Sequence, residues 1–192
     1  MRSKFPKANW EAKSPILIEG FKRKHLNHLF YHLGFSLGAE IGVATGKNSK
    51  SLLNHNPGLR LICVDPWTPY SANRDNRGVK EQKRNHDRAM EILKKCDVVF
   101  MKESSMDAVK KVKNASLDFV YIDGNHLYEY VIDDLREWSK KVRIGGIVSG
   151  HDYSSSENSG VVQAVNEFVG ENKIERWFIS HDQTPSFFWQ KK

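Results

Sequence analysis

The chain has 192 residues, of which 39% are hydrophobic, and 30 Lys and Arg against 23 Asp and Glu give a net charge of +7. This length suits one domain, the composition excludes a disordered chain, and no apolar run reaches the roughly 18 residues that a bilayer span requires. The two cysteines, Cys63 and Cys96, are too few for a disulfide scaffold or a Cys-rich zinc site. Since no apolar segment follows the basic start, the sequence predicts a cytoplasmic protein without a secretory signal.

Short apolar runs alternate with amphipathic segments along the chain, which indicates an α/β sheet. Leu26, Leu29, Phe30 and Leu33 recur at helical spacing and predict a helix over residues 16–34. Further helices are predicted from Asn48 or Ser49 and over residues 79–95, 106–112, 131–142 and 160–169, with a loop over 68–78. Strands are predicted over residues 39–43, 59–64, 98–101, 117–122, 147–149, 175–180 and 185–190. This order predicts a Rossmann-like, doubly wound, mostly parallel seven-stranded sheet that ends in an antiparallel hairpin.

Basic residues concentrate in two stretches, residues 1–32 with a net charge of +5 and residues 74–95 with +4. Such stretches attract nucleic acid or form a solvated face. Neither stretch interleaves aromatic with basic residues, so the solvated face is the favoured interpretation.

Polar side chains follow the predicted strands at the sheet edge where ligands bind in doubly wound folds. The loop from Glu40 to Gly46 connects a strand to a helix, and its glycines allow close backbone approach to a ligand. It lacks the dinucleotide fingerprint, which needs glycines where Ala44 and Lys47 stand, and it also lacks the P-loop pattern. A tight turn without a ligand is the alternative interpretation.

Asp65 ends the next strand, 23 residues after Gly42, where a carboxylate accepts hydrogen bonds from a ribose diol. The alternative is a strand-end turn before Pro66. Trp67 either offers its face to a purine or packs in the core. The pair Asp133–Asp134 falls inside a predicted helix and is interpreted as a solvated, charged face.

Two segments together carry a family resemblance. They are Tyr121-Ile-Asp123-Gly-Asn-His126-Leu-Tyr128 and Gly145-Gly-Ile-Val-Ser-Gly-His151-Asp152-Tyr153. With the glycine loop and Asp65, they resemble the class I S-adenosylmethionine-dependent methyltransferases, in particular the macrocin- and catechol-O-methyltransferase-like branch. The resemblance spans about residues 38–190. It implies one methyltransferase domain over residues 1–192, with an N-terminal helical cap over 1–37 and a cofactor-binding core over 38–192.

The resemblance implies a role for each matching residue. Glu40, Gly42 and Gly46 shape the pocket for the methionine part of the cofactor, and Asn48 helps to hold its carboxylate. Asp65 binds the ribose hydroxyls, with Trp67 as a purine neighbour. Ser105 and Met106 border the adenine, and Asp123 lies near the sulfonium and the acceptor.

Metal-dependent relatives hold Mg²⁺ through acids after two strands, and Asp123 and Asp152 match two of these positions. His151 and Tyr153 flank Asp152 where the family has a further acid or amide. Because Mg²⁺ prefers oxygen ligands, this departure leaves three alternatives open, which are Mg²⁺, a softer ion such as Mn²⁺, and no metal.

Methyl transfer to a hydroxyl requires removal of one proton. His151 is the first candidate, as the base or as a metal-side ligand, and His126 the second, because both follow strand ends and histidine titrates near neutral pH. Loop histidines that only fix the backbone are the alternative. The implied activity is O-methylation of a small molecule or sugar, and the alternatives are a nucleic-acid methyltransferase and a non-catalytic cofactor-binding module. The sequence leaves the oligomeric state open.

Overall fold

The computed structural model describes residues 8–69, 78–154 and 159–192. Its centre is one eight-stranded sheet with the order β1-β7-β8-β6-β5-β2-β3-β4. The strands are β1 Ile16–Ile18, β2 Leu37–Ile41, β3 Arg60–Val64, β4 Val98–Met101, β5 Leu117–Ile122, β6 Val142–Gly150, β7 Phe178–Ser180 and β8 Phe187–Gln190. All pairings are parallel except those of β8 with β6 and with β7. The predicted α/β class and the C-terminal hairpin are therefore confirmed.

Helices cover both faces of the sheet. They are α1 Arg23–His32, α2 Lys47–His55, α3 Val79–Leu93, α4 Ser105–Ala108, α5 Tyr128–Lys141 and α6 Ser159–Glu171, with a 3₁₀ turn at Val109–Lys111. One apolar cluster joins the sheet to α5 and α6, and the other joins it to α1, α2 and α3. Because β5 lies between these layers, Phe119, Val120 and Tyr121 are all fully buried. No described helix has the length and apolar character of a membrane span.

The predicted helix over residues 16–34 is wrong in its first part. Ile16–Ile18 form an edge strand, β1, which pairs in parallel with Phe178–Ser180. Ile16 and Ile18 are buried while Leu17 is exposed, which is the alternation of a strand rather than of a helix. The helix begins only at Arg23. The sheet therefore has one strand more than the seven predicted.

Two glycines lengthen β6 beyond the predicted residues 147–149. The strand runs from Val142 to Gly150, and its register against β5 shifts around Leu117 and Phe119. Gly145 has a φ of 80°, and a Cβ on Gly146 would lie 2.4 Å from the Asp118 carbonyl oxygen. The glycines therefore form a bulge inside a strand and not the turn before it.

Most of the predicted loop over residues 68–78 lies outside the described residues, as do residues 1–7 of the predicted N-terminal cap.

Candidate active site

Two cavities open beside each other at the carboxyl ends of the parallel strands. The larger cavity, of about 410 Å³, is lined by the glycine loop and by the residues that follow β3, β5 and β6. The smaller cavity, of about 270 Å³, lies between the residues that follow β4 and the first half of α5. Gly42 and Gly124 line both, so a single elongated ligand can extend from one cavity into the other.

The loop after β2 packs directly on the loop after β5. Gly42 has a φ of 90°, and a Cβ there would lie 2.0 Å from the Asp123 carbonyl oxygen. Ala44 and Gly46 also have positive φ, at 46° and 74°. Since any side chain at Gly42 would push the two loops apart, glycine at this position sets the shape of both cavities.

Gly42→Ala should lower the free energy of unfolding by about 3 kcal/mol or more, because the methyl group adds a backbone clash to the cost of a left-handed conformation. Gly58→Ala is the matched control, since Gly58 has a φ of 86° and a Cβ there would meet nothing within 4 Å. It should lose only about 1 kcal/mol. Urea unfolding of both variants measures the difference, and equal losses would contradict the proposed clash.

Glu40 lies buried at the end of β2 and anchors the start of α2. Asn48 Nδ2 donates to Glu40 Oε1 at 2.8 Å, and the Ser49 hydroxyl donates to Oε2. Burial raises the pKa of Glu40 to about 7, although both hydrogen bonds act in the opposite direction. Helix α2 begins at Lys47, next to the start predicted near Asn48 or Ser49, but Gly46 takes the N-cap position because the Asn48 and Ser49 side chains bind Glu40.

Asp65 lies at the end of β3, lines the larger cavity and holds the glycine loop in place. Its Oδ2 accepts the backbone N–H groups of Val43 at 3.0 Å and Ala44 at 2.9 Å, and its Oδ1 accepts that of Trp67 at 2.7 Å. Burial raises the pKa of Asp65 against the effect of these three bonds. A carboxylate has about four acceptor positions, so one remains for a ligand hydroxyl.

Trp67 lies in the core and lines neither cavity. Its side chain is 5% exposed, its indole N–H donates to the Ala44 carbonyl oxygen at 2.8 Å, and its ring packs edge-on against His86. Of the two interpretations of Trp67, the structure supports the core residue. The ring stabilises the glycine loop from behind.

Ser105 and Met106 both line the smaller cavity, together with Asp134 from α5. The Ser105 hydroxyl accepts the Trp138 indole N–H at 2.7 Å and donates to Asp134 Oδ1. Asp134 is therefore not the solvated helix charge that the sequence predicts, since it is only 4% exposed. Burial raises its pKa to about 7.

Asp134 should make the protein less stable as the pH rises. Its pKa rises from 3.8 to about 7 on folding, so its stabilising effect is complete below 3.8 and is lost as the pH increases to about 7. Asp134→Asn should reduce the pH dependence of the free energy of unfolding over this range by about one proton, and the remainder should come mainly from Glu40 and Asp65, whose pKa values burial also raises. Unfolding curves over this pH range, with Glu137→Gln on the exposed face of α5 as the control, measure the change. An unchanged slope in Asp134→Asn would contradict this prediction.

Two acids and two histidines meet on one side of the larger cavity. His126 Nε2 lies 3.1 Å from Asp152 Oδ2 and 3.9 Å from Asp123 Oδ1. His151 Nδ1 lies 3.2 Å from Asp152 Oδ1 and 3.9 Å from Asp123 Oδ1. The structure thus brings together all four residues that the sequence singled out after β5 and β6.

The carboxylates determine the charge of this cluster. Burial lowers the pKa of His126, but the nearby carboxylates of Asp123 and Asp152 outweigh it and raise the pKa to about 10. Burial likewise raises the pKa of Asp152, and its bonds to His126 and His151 outweigh this and hold it below the usual range. Asp152 has a φ of 58°, a conformation that aspartate tolerates better than most residues and that aims its carboxylate at both imidazoles.

A fifth side chain, Arg23 at the start of α1, reaches the cluster from the N-terminal segment. Its Nη2 donates to Asp123 Oδ2 at 2.5 Å, its guanidinium lies 5.0 Å from the centre of the Tyr121 ring, and its buried Nε has no partner within the described residues. Its backbone N–H donates to Asp182 Oδ2 at 2.7 Å. Arg23 thus links the terminal hairpin to the site.

A family model described as a methyltransferase domain matches residues 39–153, which is more than half of the chain. This chain belongs to that methyltransferase family. The match covers β2 to Tyr153 and includes the whole acid–histidine cluster. No curated protein sequence matches the chain significantly.

Solved structures share the fold of this methyltransferase at low sequence identity. An O-methyltransferase from Bacillus cereus, in complex with SAH, has a TM-score of 0.64 at 16% identity, over 88% of this chain and 80% of the other. The O-methyltransferase TomG from Streptomyces achromogenes, in complex with SAM, has a TM-score of 0.63 at 14% identity, with the same coverage. A putative O-methyltransferase from Klebsiella pneumoniae has a TM-score of 0.60 at 14% identity, again over 88% of this chain and 80% of the other. At these identities the comparison establishes the fold.

The acid–histidine cluster of the methyltransferase suits a transition-metal ion better than Mg²⁺. Asp123, His126 and Asp152 each offer one ligand atom, and these atoms lie within 4.8 Å of one another. Two carboxylate oxygens and an imidazole nitrogen suit Mn²⁺, whereas Mg²⁺ prefers oxygen alone. Asp123 and Asp152 were predicted as ligands, and the third group in the cluster is His126 rather than the His151 that precedes Asp152.

Sequence reasoning missed several residues of the site. Arg23 was counted only as part of a basic stretch, and Gln82 and Asn85 of α3, which line the larger cavity, were not singled out. The Asn85 side-chain amide nitrogen is buried without a partner among the described residues. In the sequence, Arg23 is one of several basic residues inside the first predicted helix, so nothing distinguished it from a surface residue.

Proposed function

We propose that this methyltransferase uses S-adenosylmethionine to methylate a hydroxyl group of a small molecule or sugar. The observation that carries the proposal is the acid–histidine cluster, which lies in the same cavity as the glycine loop and Asp65. The methionine part of the cofactor would occupy the larger cavity near Glu40, Gly42 and Gly46. The ribose would bind Asp65, and the adenine would occupy the smaller cavity.

The cluster is suited to removing the proton from a hydroxyl. His151 is the proposed base: its Nδ1 donates to Asp152 Oδ1, which leaves Nε2 as the basic atom. His126 is the second candidate, but the two carboxylates hold a proton on it, because its pKa is about 10. Methyl transfer then needs mainly alignment and exclusion of water, which the buried loops provide.

A divalent ion is part of this proposal. Asp123, Asp152 and His126 would hold it, with His126 Nε2 losing its proton when the ion binds, and the bound ion would lower the pKa of an acceptor hydroxyl. Arg23 donates to Asp123 Oδ2 and so orients this carboxylate, while Asp123 Oδ1, which lies 3.9 Å from His126 Nε2, stays available to the ion. The N-terminal segment therefore participates in acceptor and ion binding.

The nucleic-acid alternative keeps the same cofactor site but has a nucleic acid as the methyl acceptor. Four basic side chains on α3 support it, because they are exposed or partly exposed. They are Lys80, Lys83, Arg84 and Arg88. The side chains of the acid–histidine cluster are largely buried, which suits a small acceptor better than a stacked base, and this favours the first proposal.

Calorimetric titration of S-adenosylhomocysteine into the protein, with and without Mn²⁺, tests the cofactor. Micromolar binding is the expected result. A radiolabelled methyl-transfer screen with small hydroxyl compounds, sugars and RNA then tests the acceptor. Transfer to a small hydroxyl supports the proposal, transfer to RNA only supports the alternative, and absence of S-adenosylhomocysteine binding would reject both.

A further inference from the structure

Half of the eight histidines of the chain lie on α1 and at the end of α2, outside the acid–histidine cluster. His25, His28 and His32 recur at three- and four-residue spacing, so they share one face of α1. His55 is the last residue of α2, and its ring meets that of His28 edge-on, with 4.3 Å between the ring centres. Imidazoles from two helices therefore meet where α1 packs on α2.

The His55 ring is held in the tautomer that binds a metal ion. Its Nδ1 lies 2.7 Å from the Ser51 carbonyl oxygen. A carbonyl oxygen only accepts hydrogen bonds, so the ring proton is on Nδ1 and Nε2 keeps its lone pair. Metal-binding histidines are oriented in this way, by a hydrogen bond from the second ring nitrogen to a carbonyl or carboxylate.

His28 and His32 are exposed and lie one helical turn apart, at positions i and i+4. Two histidines at this spacing can bind the same zinc ion from one helix face. Desolvation and the nearby imidazole of His55 lower the pKa of His28, which favours its neutral, metal-binding form. Because His32 is exposed, a change of side-chain rotamer can bring its ring towards the other two.

We propose that His28, His32 and His55 form a second metal site, which binds Zn²⁺ through three imidazole nitrogens and leaves a fourth position for water. Imidazole is a good ligand for Zn²⁺, and three protein ligands with one open position are a common zinc arrangement. This site has no carboxylate, in contrast to the acid–histidine cluster. The inference does not rest on the proposed function, since it involves neither cofactor nor methyl acceptor.

A zinc ion at this position would connect two helices that lead to the active site. α1 begins at Arg23, which donates to Asp123, and α2 begins directly after the glycine loop. The polar bonds between the helices include those of Asn27 Nδ2 to Ser51 Oγ at 3.0 Å and of Asn56 Nδ2 to the Asn27 carbonyl oxygen at 3.0 Å. The ion would add a link between the helices and so restrain α1, which carries Arg23, relative to α2.

Calorimetric titration of Zn²⁺ into protein without a histidine tag tests the site. Asp152→Asn is the parent variant, because it removes a ligand of the acid–histidine cluster, and it should retain one zinc site. Adding His28→Ala, His32→Ala or His55→Ala to the parent should each weaken Zn²⁺ binding by at least about 10-fold, the lower end of the loss seen when even a supporting group is removed. Unchanged affinity in any of the three double variants would overturn the three-histidine site.

His25→Gln in the same parent is the matched control. His25 lies on the same face of α1, but its Nδ1 accepts the Lys22 backbone N–H at 2.8 Å. Its proton is therefore on Nε2, and neither ring nitrogen is available to an ion. This variant should bind Zn²⁺ like the parent, and a loss as large as that of His28→Ala would overturn the assignment of the ligands.

Nuclear magnetic resonance of the histidine ring nitrogens in wild-type protein gives the same decision if the parent variant does not fold. Excess Zn²⁺ should shift the ring nitrogens of His28, His32 and His55. Shifts confined to His126 would overturn the inference and leave the acid–histidine cluster as the zinc site. Because neither measurement contains a cofactor, failure of the inference leaves the proposed function intact.

Discussion

Replacement of Asp65 by alanine is expected to weaken S-adenosylhomocysteine binding by about 100-fold or more, because it removes charge-assisted hydrogen bonds worth about 1.5–3 kcal/mol each. The carboxylate has two roles in the site. It offers an acceptor position to the ribose, and it holds the Val43 and Ala44 backbone N–H groups that shape the loop. Alanine removes both, so the loop also loses the conformation that the cofactor requires.

Calorimetry with Asp97→Ala as the control distinguishes this effect from a general loss of charge. Asp97 precedes β4 at the opposite edge of the sheet, where it forms an exposed ion pair with Arg60. That variant should bind S-adenosylhomocysteine like the wild type. Equal affinities for Asp65→Ala and wild type would show that the ribose lies elsewhere.

Replacement of Asp152 by asparagine is expected to weaken Mn²⁺ binding by about 100-fold or more, since even groups that only support a ligand change metal affinity by about 10- to 100-fold. Asp152 is the carboxylate nearest to both His126 and His151. Its replacement removes a negative ligand and also the group that orients the two imidazoles. Electron paramagnetic resonance of free Mn²⁺ during titration measures the affinity without any methyl acceptor.

Asp107→Asn is the control for the Mn²⁺ titration. Asp107 is an exposed acid on α4, where it pairs with Lys110, and its loss should leave Mn²⁺ binding unchanged. If wild-type protein and Asp152→Asn bind Mn²⁺ equally, the acid–histidine cluster is not a metal site, and His151 must remove the proton without an ion.

The sequence predicts best where the chain is buried on both faces. The apolar run Leu117–Ile122 forms β5 with the predicted bounds, because a strand between two helical layers has few polar residues to blur its ends. The acid–histidine cluster is predicted for a related reason. The carboxyl ends of parallel strands lie at the same edge of the sheet. Because β5 and β6 are parallel neighbours, the residues that follow them lie near each other.

The remainder depends on tertiary contacts that leave no local signal. Three apolar residues, Ile16–Ile18, fit the start of a helix as well as a strand until Phe178–Ser180 lies beside them. Asp134 has the sequence context of a surface acid, but α5 turns it onto Ser105. Arg23 reaches Asp123 across 100 positions of the chain, and no pattern around Arg23 indicates that contact.

The attachment of the chain's two ends has a consequence for engineering. β1 pairs with β7, the His181 backbone N–H donates to the Phe21 carbonyl oxygen, and Asp182 binds the backbone of Arg23. The N-terminal segment and the final hairpin are thus bound to each other, and both parts lie outside residues 39–153. A chimera that exchanges only the N-terminal segment would lose the contacts that position Arg23. A chimera that exchanges this segment together with residues 178–190 would keep them, because β7 and Asp182 would come from the same parent protein.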